Sequence, residues 1–486
     1  MQEYTPRKVP QYPMPISPAA VEEIFKEADD FNIRPLRVGD LQLSVYFIDG
    51  LTASGVISEY VIAPLMRHPA ATEEALYTAA FHGGVYNASA KECEDMDTAV
   101  SALVNGFSLV VFPTIQKALA FETRTGEKRS PSPPEVENTV KGAKDAFTET
   151  NRTNTSLVRR HLRTPRLRVQ ETVVGRKSLT NVSVLSVQGL TDPELLRAVR
   201  QRLDSIDMDG FLSPAAVEEY LTGSRKTAFP LLQYTERTDK FCQGLLSGQV
   251  GVIVDGLPQG YLLPVDLGRF MTSQEDRGMD YITASAVRMI RYLALLLALL
   301  LPALYVAMAC FHPAMIPSKL LEAIIKSKEN VPFPTVFEVL GLLVAFELLQ
   351  EAGLHLPQSI GHTVSIIGGL VVGTAAVEAS LISPAALIAV SVAGICGFAV
   401  PGKDFTDAVR VWRFLLSLCA SVAGLYGVTL GVIVLLLHLG ELSSCGRPYL
   451  MPFSAAGTQD AFFRKRLATQ KFRRTDTKPR DKRNQR

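Results

Sequence analysis

The run YLALLLALLLPALYVAMACF, residues 292–311, decides the reading of the whole chain. It holds 20 residues without a charge, the length that ~30 Å of hydrocarbon demands of a helix rising ~1.5 Å per residue. Three more apolar stretches follow at 359–381, 384–400 and 414–437, the middle one of these bounded by Pro384 and Pro401. Lipid offers the backbone no hydrogen-bond partner, so each stretch should be an α-helix whose small or polar residues face other helices or a pore. A fifth piece, residues 337–353, carries Glu338, Glu347 and Glu351 and is too charged for a simple span. It reads as an interfacial or re-entrant helix entered through Pro332 and Pro334. The expected fold is therefore a soluble α/β N-terminal region followed by an all-α polytopic transmembrane domain over 281–453.

Working outward, the 486 residues leave room for about three domains. Residues 1–34 read as an extension, 35–128 and 169–280 as two related α/β subdomains, 129–168 as a Pro-rich linker with a basic helix, and 454–486 as a basic tail. The net charge of +2 excludes little, but the tail RKRLATQKFRRTDTKPRDKRNQR from Arg464 is strongly basic. It fits nucleic acid or a cytoplasmic anchor on anionic lipid, and its closeness to a span favours the anchor. The six cysteines have no CxxC spacing and read as reduced, buried small hydrophobes. With no apolar run behind the N-terminal charges, no cleaved signal is expected, and the large N-terminal region should stay in the cytoplasm.

The α/β region reads as a duplication. LQLSVYFIDGLT ends a strand at Asp49 and Gly50, GVISEYVIAPLM has helical spacing, and Gly106 precedes a strand at 108–112. The order then recurs: NVSVLSVQGLT places Gly189 at a strand end before the helix PELLRAVRQRL, and Gly248 precedes a strand at 250–254. Gly50 to Gly189 is 139 residues and Gly106 to Gly248 is 142. On this reading, strands around Val45 and Val184 hold equivalent places in two separate sheets, as do those around Val110 and Val252. Asp49 and Asp255 sit in strand-end DG pairs and read as turn formers. No catalytic constellation, glycine-rich phosphate loop or metal-ligand spacing is visible. The expectation is a protein that is not an enzyme and needs no cofactor or metal.

Between the repeats, residues 143–162 are expected to be helical, ending in Arg159, Arg160, His161 and Arg163, with Arg166 and Arg168 beyond. A nucleic-acid site, cations at a helix C-terminus and an inter-subunit salt-bridge surface all fit these charges; the absence of interleaved aromatics argues against the first. Here the residues carry a resemblance. KGAKDAFTETNRTNTSLVRRHLRTPRLR resembles the signature segment of the GerA spore-germination family, in particular its A-type subunits. YTERTDK from Tyr234, LLSGQVGVIVDGLP from Leu245, VPFP from Val331, FELLQEAGLHLPQSIG from Phe346 and GRPYLMPF from Gly446 follow in that family's order. One departure is visible: Glu275 and Asp276 are followed by Arg277 and Gly278 where the family commonly has tyrosines.

The resemblance implies a membrane subunit of a nutrient germinant receptor in the inner membrane of a bacterial spore. It would oligomerise with itself around an ion-conducting pore, alongside a transporter-like B subunit and a lipoprotein C subunit, with membrane lipid but no nucleic acid as partner. An accessory germination protein of the same family and a secondary transporter are the alternatives. Transporters usually show inverted repeats of spans, whereas the repeated part here is the soluble one.

Within the membrane region, Gly361, Ser365, Gly368, Gly369, Val372 and Ala376 share one helical face, which either packs helices or lines a pore. Glu378 near the end of that span should face protein or water. Glu338, Glu347 and Glu351 form either an acidic ring at a pore entrance or a solvated helix face. Both termini are expected on the cytoplasmic side, with four crossings and a helix that does not cross. Lys319, Lys326 and Lys328 then lie outside, against the positive-inside rule.

Overall fold

The computed structural model describes residues 11–454 apart from 69, 88, 125–132, 224–225 and 356–370, and beyond 454 it describes 462–466 and separate positions up to 483. Contacts divide the chain into two units. The α/β unit comprises Met1–Ser224, Leu232–Pro264 and Lys471–Arg486, and the helical unit Arg225–Leu231 and Val265–Gln470.

The α/β unit holds ten strands: β1 (Phe31–Val38), β2 (Leu41–Ile48), β3 (Ala90–Cys93), β4 (Phe107–Phe112), β5 (Lys117–Glu122), β6 (Leu167–Val174), β7 (Thr180–Val187), β8 (Gln233–Thr235), β9 (Val250–Val254) and β10 (Gly260–Leu263). They form two five-stranded antiparallel sheets of matching order, β1-β2-β4-β5-β3 and β6-β7-β9-β10-β8. Val45 pairs with Val110 in the first sheet, and Val184 with Val252 in the second. The central strands FSLVVF and VGVIV are buried along their whole length, because helices cover both faces. On one side of the first sheet pack Pro18–Phe25 and Met96–Val104, and on the other the helical segments spanning 54–67 and Glu73–Ala79. The four glycines that mark the repeat all have positive φ: +81° at Gly50, +78° at Gly189, +83° at Gly106 and +90° at Gly248. Side chains with a Cβ rarely tolerate that conformation, so these turns leave a mark in the sequence.

The helix expected over 143–162 is shorter, running Asn151–His161. Its upstream half is extended instead: Ala146 bridges to Arg237, Phe147 N–H donates to the Glu236 carbonyl at 2.8 Å, and the Asn154 amide accepts from Thr148 N–H at 2.8 Å. Tertiary partners outbid the helical ladder there. Of the cysteines, Cys93 and Cys242 are buried, and burial pushes the Cys93 thiol up to about 12. Cys310 and Cys419, in contrast, are exposed on apolar helices.

In the helical unit, Tyr281–Cys310 and Lys403–Glu441 are the described elements long and apolar enough to cross a membrane. The second is not one rod. Ala423 (φ −130°) and Gly424 (φ +59°, ψ −138°) leave helical geometry. The Trp412 and His438 rings lie 5.7 Å apart, although 26 helical residues would separate them by about 39 Å. The single span expected at 414–437 is thus corrected to a helical hairpin with arms at 403–422 and 425–441. Gly424 makes the reversal, since it takes a positive φ and a Cβ there would stand 2.8 Å from that of Phe311.

The first long helix accompanies the hairpin from base to tip. Tyr292 and Ala298 cluster with Phe405, Val409 and Leu439, while Val306 and Ala307 cluster with Leu416, Ala420 and Val428. The helix expected at 337–353 runs unbroken over Thr335–His355, and its Val339, Leu342 and Leu343 are buried against Ala303, Val306 and Val390. It is a packed member of the bundle. Pro384–Phe398, capped by Ser383, completes the bundle and packs Gly394 beneath the Phe346 ring.

Candidate functional site in the helical unit

Charges among apolar helices are costly and therefore informative. Glu347 receives Arg410 Nη1 at 2.7 Å and Arg413 Nη2 at 2.9 Å, joining the Thr335–His355 helix to the first arm of the hairpin. Arg410 also engages Asp407 and Gln350, and Arg413 is buried to 3% exposure. Glu338 is fully buried; its Oε2 accepts from the Ser383 N–H at 2.8 Å, and its Oε1 lies 3.2 Å from Lys328 Nζ. Since Ser383 caps the Pro384–Phe398 helix and Lys328 ends the Ser318–Lys328 helix, this carboxylate ties three helical segments together.

Neither carboxylate is therefore a bare negative charge. Glu338 and Glu347 each meet a cation from another helix. Glu351 and Glu378 are exposed, and Ala376 is half-buried. Gly361, Ser365, Gly368 and Gly369 lie outside the described residues, and for Val372 only the backbone of the turn Val371–Ala375 is described. Sequence reasoning missed Arg410 and Arg413, and it noticed Lys328 only as an outer lysine, not as a partner of Glu338. A signal for the first two was present, because Asp404, Asp407, Arg410 and Arg413 recur every third residue and so stay near one face of a helix.

At the base of the first helix, Asp276 is fully buried and accepts from Arg291 Nη1 at 2.8 Å and Arg288 Nε at 3.2 Å. The acidic half of the QEDRG segment thus anchors the helix. The start of the basic tail lies against the same base: Arg464 donates to the Met279 carbonyl at 2.7 Å, Phe462 is 4.6 Å from the Tyr292 ring, and Arg466 stacks 4.5 Å from Tyr281. These described tail residues are engaged with protein.

The signature segment in the α/β unit is turned inward as well. Arg159, 2% exposed, makes a two-pronged pair with Asp30 just before β1. Arg168 reaches the Ile24 carbonyl at 2.9 Å and Gln188 Oε1 at 2.6 Å. Arg237 of YTERTDK is spent on Asp239, Thr139 and the Ala143 carbonyl. His161 Nε2 lies 2.7 Å from Asp145 Oδ2. That contact holds the Asp145 carboxyl down to about 2 and raises the His161 imidazole above its usual value. Asp49 and Asp255 act as turn and helix-start acceptors, for Gly50 N–H at 2.7 Å and Asn151 N–H at 2.8 Å. Part of the basic run is wiring between the two repeats, with Arg160, Arg163 and Arg166 left on the surface.

A family model described as Bacillus/Clostridium GerA spore germination protein matches residues 19–476. The chain belongs to the GerA family. This GerA-family chain is 36% identical over 469 residues to spore germination protein KA of Bacillus subtilis (strain 168), covering 93% of the chain and 85% of that protein. It is 33% identical over 445 residues to spore germination protein A1 of the same organism, covering 90% and 91%. It is also 34% identical over 427 residues to that organism's uncharacterized membrane protein YfkQ, covering 86% and 82%. Among solved structures, the N-terminal domain of the A subunit of the Bacillus megaterium spore germinant receptor GerK3 matches at a TM-score of 0.39 and 24% identity, over 50% of this chain and 91% of that one.

Proposed function

We propose that this GerA-family chain is the A-type membrane subunit of a nutrient germinant receptor, and that it oligomerises into a channel releasing cations when a germinant is sensed. Its partners would be the transporter-like B subunit, the lipoprotein C subunit and the lipid of the spore inner membrane. The observation that carries this reading is the helical bundle with ion pairs built between its members, Glu347 with Arg410 and Arg413 above all. Such pairs are retained in apolar bundles where a polar path or a switch needs them.

The two arms, residues 403–422 and 425–441, run about 30 Å and about 26 Å at ~1.5 Å per residue, close to the ~30 Å of a hydrocarbon core, which supports counting them as two crossings. With Thr335–His355 also crossing, the four-span count becomes six, and an even number still leaves both termini on the cytoplasmic side. Lys328 is then matched by Glu338, and Lys326 by Glu322 at 2.8 Å; because the positive-inside rule counts Lys and Arg and not net charge, these outer lysines still run against it.

The test is cation release. The full chain, assembled with its B and C partners in potassium-loaded liposomes, should release potassium on nutrient addition. Val372→Ala should change that leak while Val371→Ala, about 100° around a helix, changes it little. Gly369→Leu should block assembly. An assembled complex that passes no cations defeats the channel reading. An accessory role in germination is the second reading; spores lacking the chain would then still germinate, only more slowly.

A further inference from the structure

One piece of the helical unit comes from far upstream in the chain. After the Pro214–Thr222 helix of the second repeat, Arg225–Leu231 belong with the helices, and the chain then returns as β8. Phe229 is 5% exposed. Its ring centroid lies 5.7 Å from Phe405, 6.2 Å from His438, 6.3 Å from Tyr449 and 6.4 Å from Trp412, nearly parallel to the indole. Phe405 and Trp412 stand on the first arm of the hairpin, His438 on the second, and Tyr449 just after it. Hydrogen bonds flank the ring: Thr227 Oγ1 is 2.9 Å from His438 Nε2, and Ser444 Oγ donates to the Leu231 carbonyl at 2.5 Å while accepting Val265 N–H at 3.0 Å.

A segment of the helical unit that is joined at both ends to the second repeat is thus seated in an aromatic socket made by both hairpin arms. Aromatic contacts are geometrically selective, and the hydrogen bonds at either side fix the backbone that carries the ring. We propose that residues 226–231 are a coupling peg: displacement of the second repeat moves Phe229, and Phe229 moves the base of the hairpin. The helical arms carry that movement to the tip, where Gly424 packs on Phe311 and His312. The peg deepens the receptor reading and rests on it for one of its three readouts.

Trp412 is the sole tryptophan of the chain, so its fluorescence reports the seat directly. In the full chain in nanodiscs, Phe229→Ala should raise iodide quenching of Trp412. It should also raise hydrogen exchange together in β8 and in residues 405–409. In the liposome assay, nutrient-triggered release should fall about tenfold or more, the scale of an ordinary coupling energy, while assembly stays normal. If Phe229→Ala accumulates poorly, Thr227→Val, which removes the contact to His438, is read by the same three measurements with smaller expected changes.

Unchanged Trp412 quenching overturns the peg, because the ring is then not seated. Exchange that rises on one side alone overturns it too, and so does normal release despite an exposed Trp412. A wild-type assembly that never releases cations overturns the receptor reading instead. Quenching and exchange then decide the peg by themselves.

Discussion

In the first α/β repeat, Ala99 of the Met96–Val104 helix shares an apolar cluster with Leu109 of β4 and Ala118 and Ala120 of β5. In the second, an offset of 142 residues brings Phe241 to the place of Ala99, and Gly251, Gly260 and Leu262 to those of Leu109, Ala118 and Ala120. The bulk has moved from the sheet to the helix. A Cβ at Gly251 would stand 2.2 Å from the Phe241 ring, and one at Gly260 would stand 2.6 Å from it. One strand order therefore tolerates two distributions of side-chain volume, because the interior must be filled but either layer can fill it. The repeats differ in polarity too. The second holds buried Arg159, Arg168, Arg237, Asn154 and Gln249, and the first mainly apolar side chains.

The comparison can be broken at several strengths. The largest effect is expected where the repeats share a buried charge. Asp30→Ala strands Arg159 and should destabilise the α/β unit by about 3–5 kcal/mol. Asp30→Leu combined with Arg159→Met should recover most of this in urea unfolding followed by circular dichroism. Recovery failing would mean that the pair matters for more than its charge.

Next comes Phe241→Ala, which empties the helix layer of the second repeat at a cost of about 3–5 kcal/mol. Adding Gly251→Leu recreates the arrangement of the first repeat and should return part of that cost, with a coupling of about 0.5–3 kcal/mol in the double-mutant cycle. Strict additivity would refute the exchange of volume between layers. By itself, Gly251→Ala forces the Phe241 ring aside and should cost about 1–3 kcal/mol, an effect that disappears in the Phe241→Ala background.

The smallest effect is electrostatic. The raised His161 imidazole contributes stability that is full below about pH 6.5 and is lost as pH rises through its folded value. The lowered Asp145 carboxyl contributes above about pH 3.9 and loses that as pH falls toward about 2. Between pH 6 and 8.5 the unit should thus lose about 1 kcal/mol or less, and His161→Gln should flatten that slope in urea midpoints. A slope that persists in the variant assigns the titration to another group.

The duplicated fold was legible because turns of positive φ demand glycine at Gly50, Gly106, Gly189 and Gly248. The spacing drifted for local reasons. The β1–β2 hairpin closes with Val38 against Leu41, whereas β6–β7 closes with Val174 against Thr180, which adds three residues and takes the offset from 136 at Phe31 and Leu167 to 139 at Leu41 and Thr180. Three more enter further on, since Gly50 to Gly106 is 56 residues and Gly189 to Gly248 is 59. The candidate site was legible only by half. Glu338 and Glu347 stand out in an apolar stretch, but their partners do not, since Arg413 is 66 residues from Glu347 and Ser383 is 45 from Glu338.

By itself the sequence determined the class of each part: apolar runs of bilayer length for the helices, alternating and buried strands punctuated by glycine for the sheets, and membership of the GerA family through motifs spread along the chain. These are properties of short windows, where solvation and backbone sterics act residue by residue. Only the tertiary structure decided that Lys403–Glu441 folds back on itself. A small apolar pair, Ala423 and Gly424, has the same hydropathy in a straight helix as in a reversal, and what selects the reversal is packing against Phe311. The seat of Phe229 and the pairing of Arg159 with Asp30 are of the same kind. Both depend on groups more than a hundred residues apart meeting in one place, and no local preference records that.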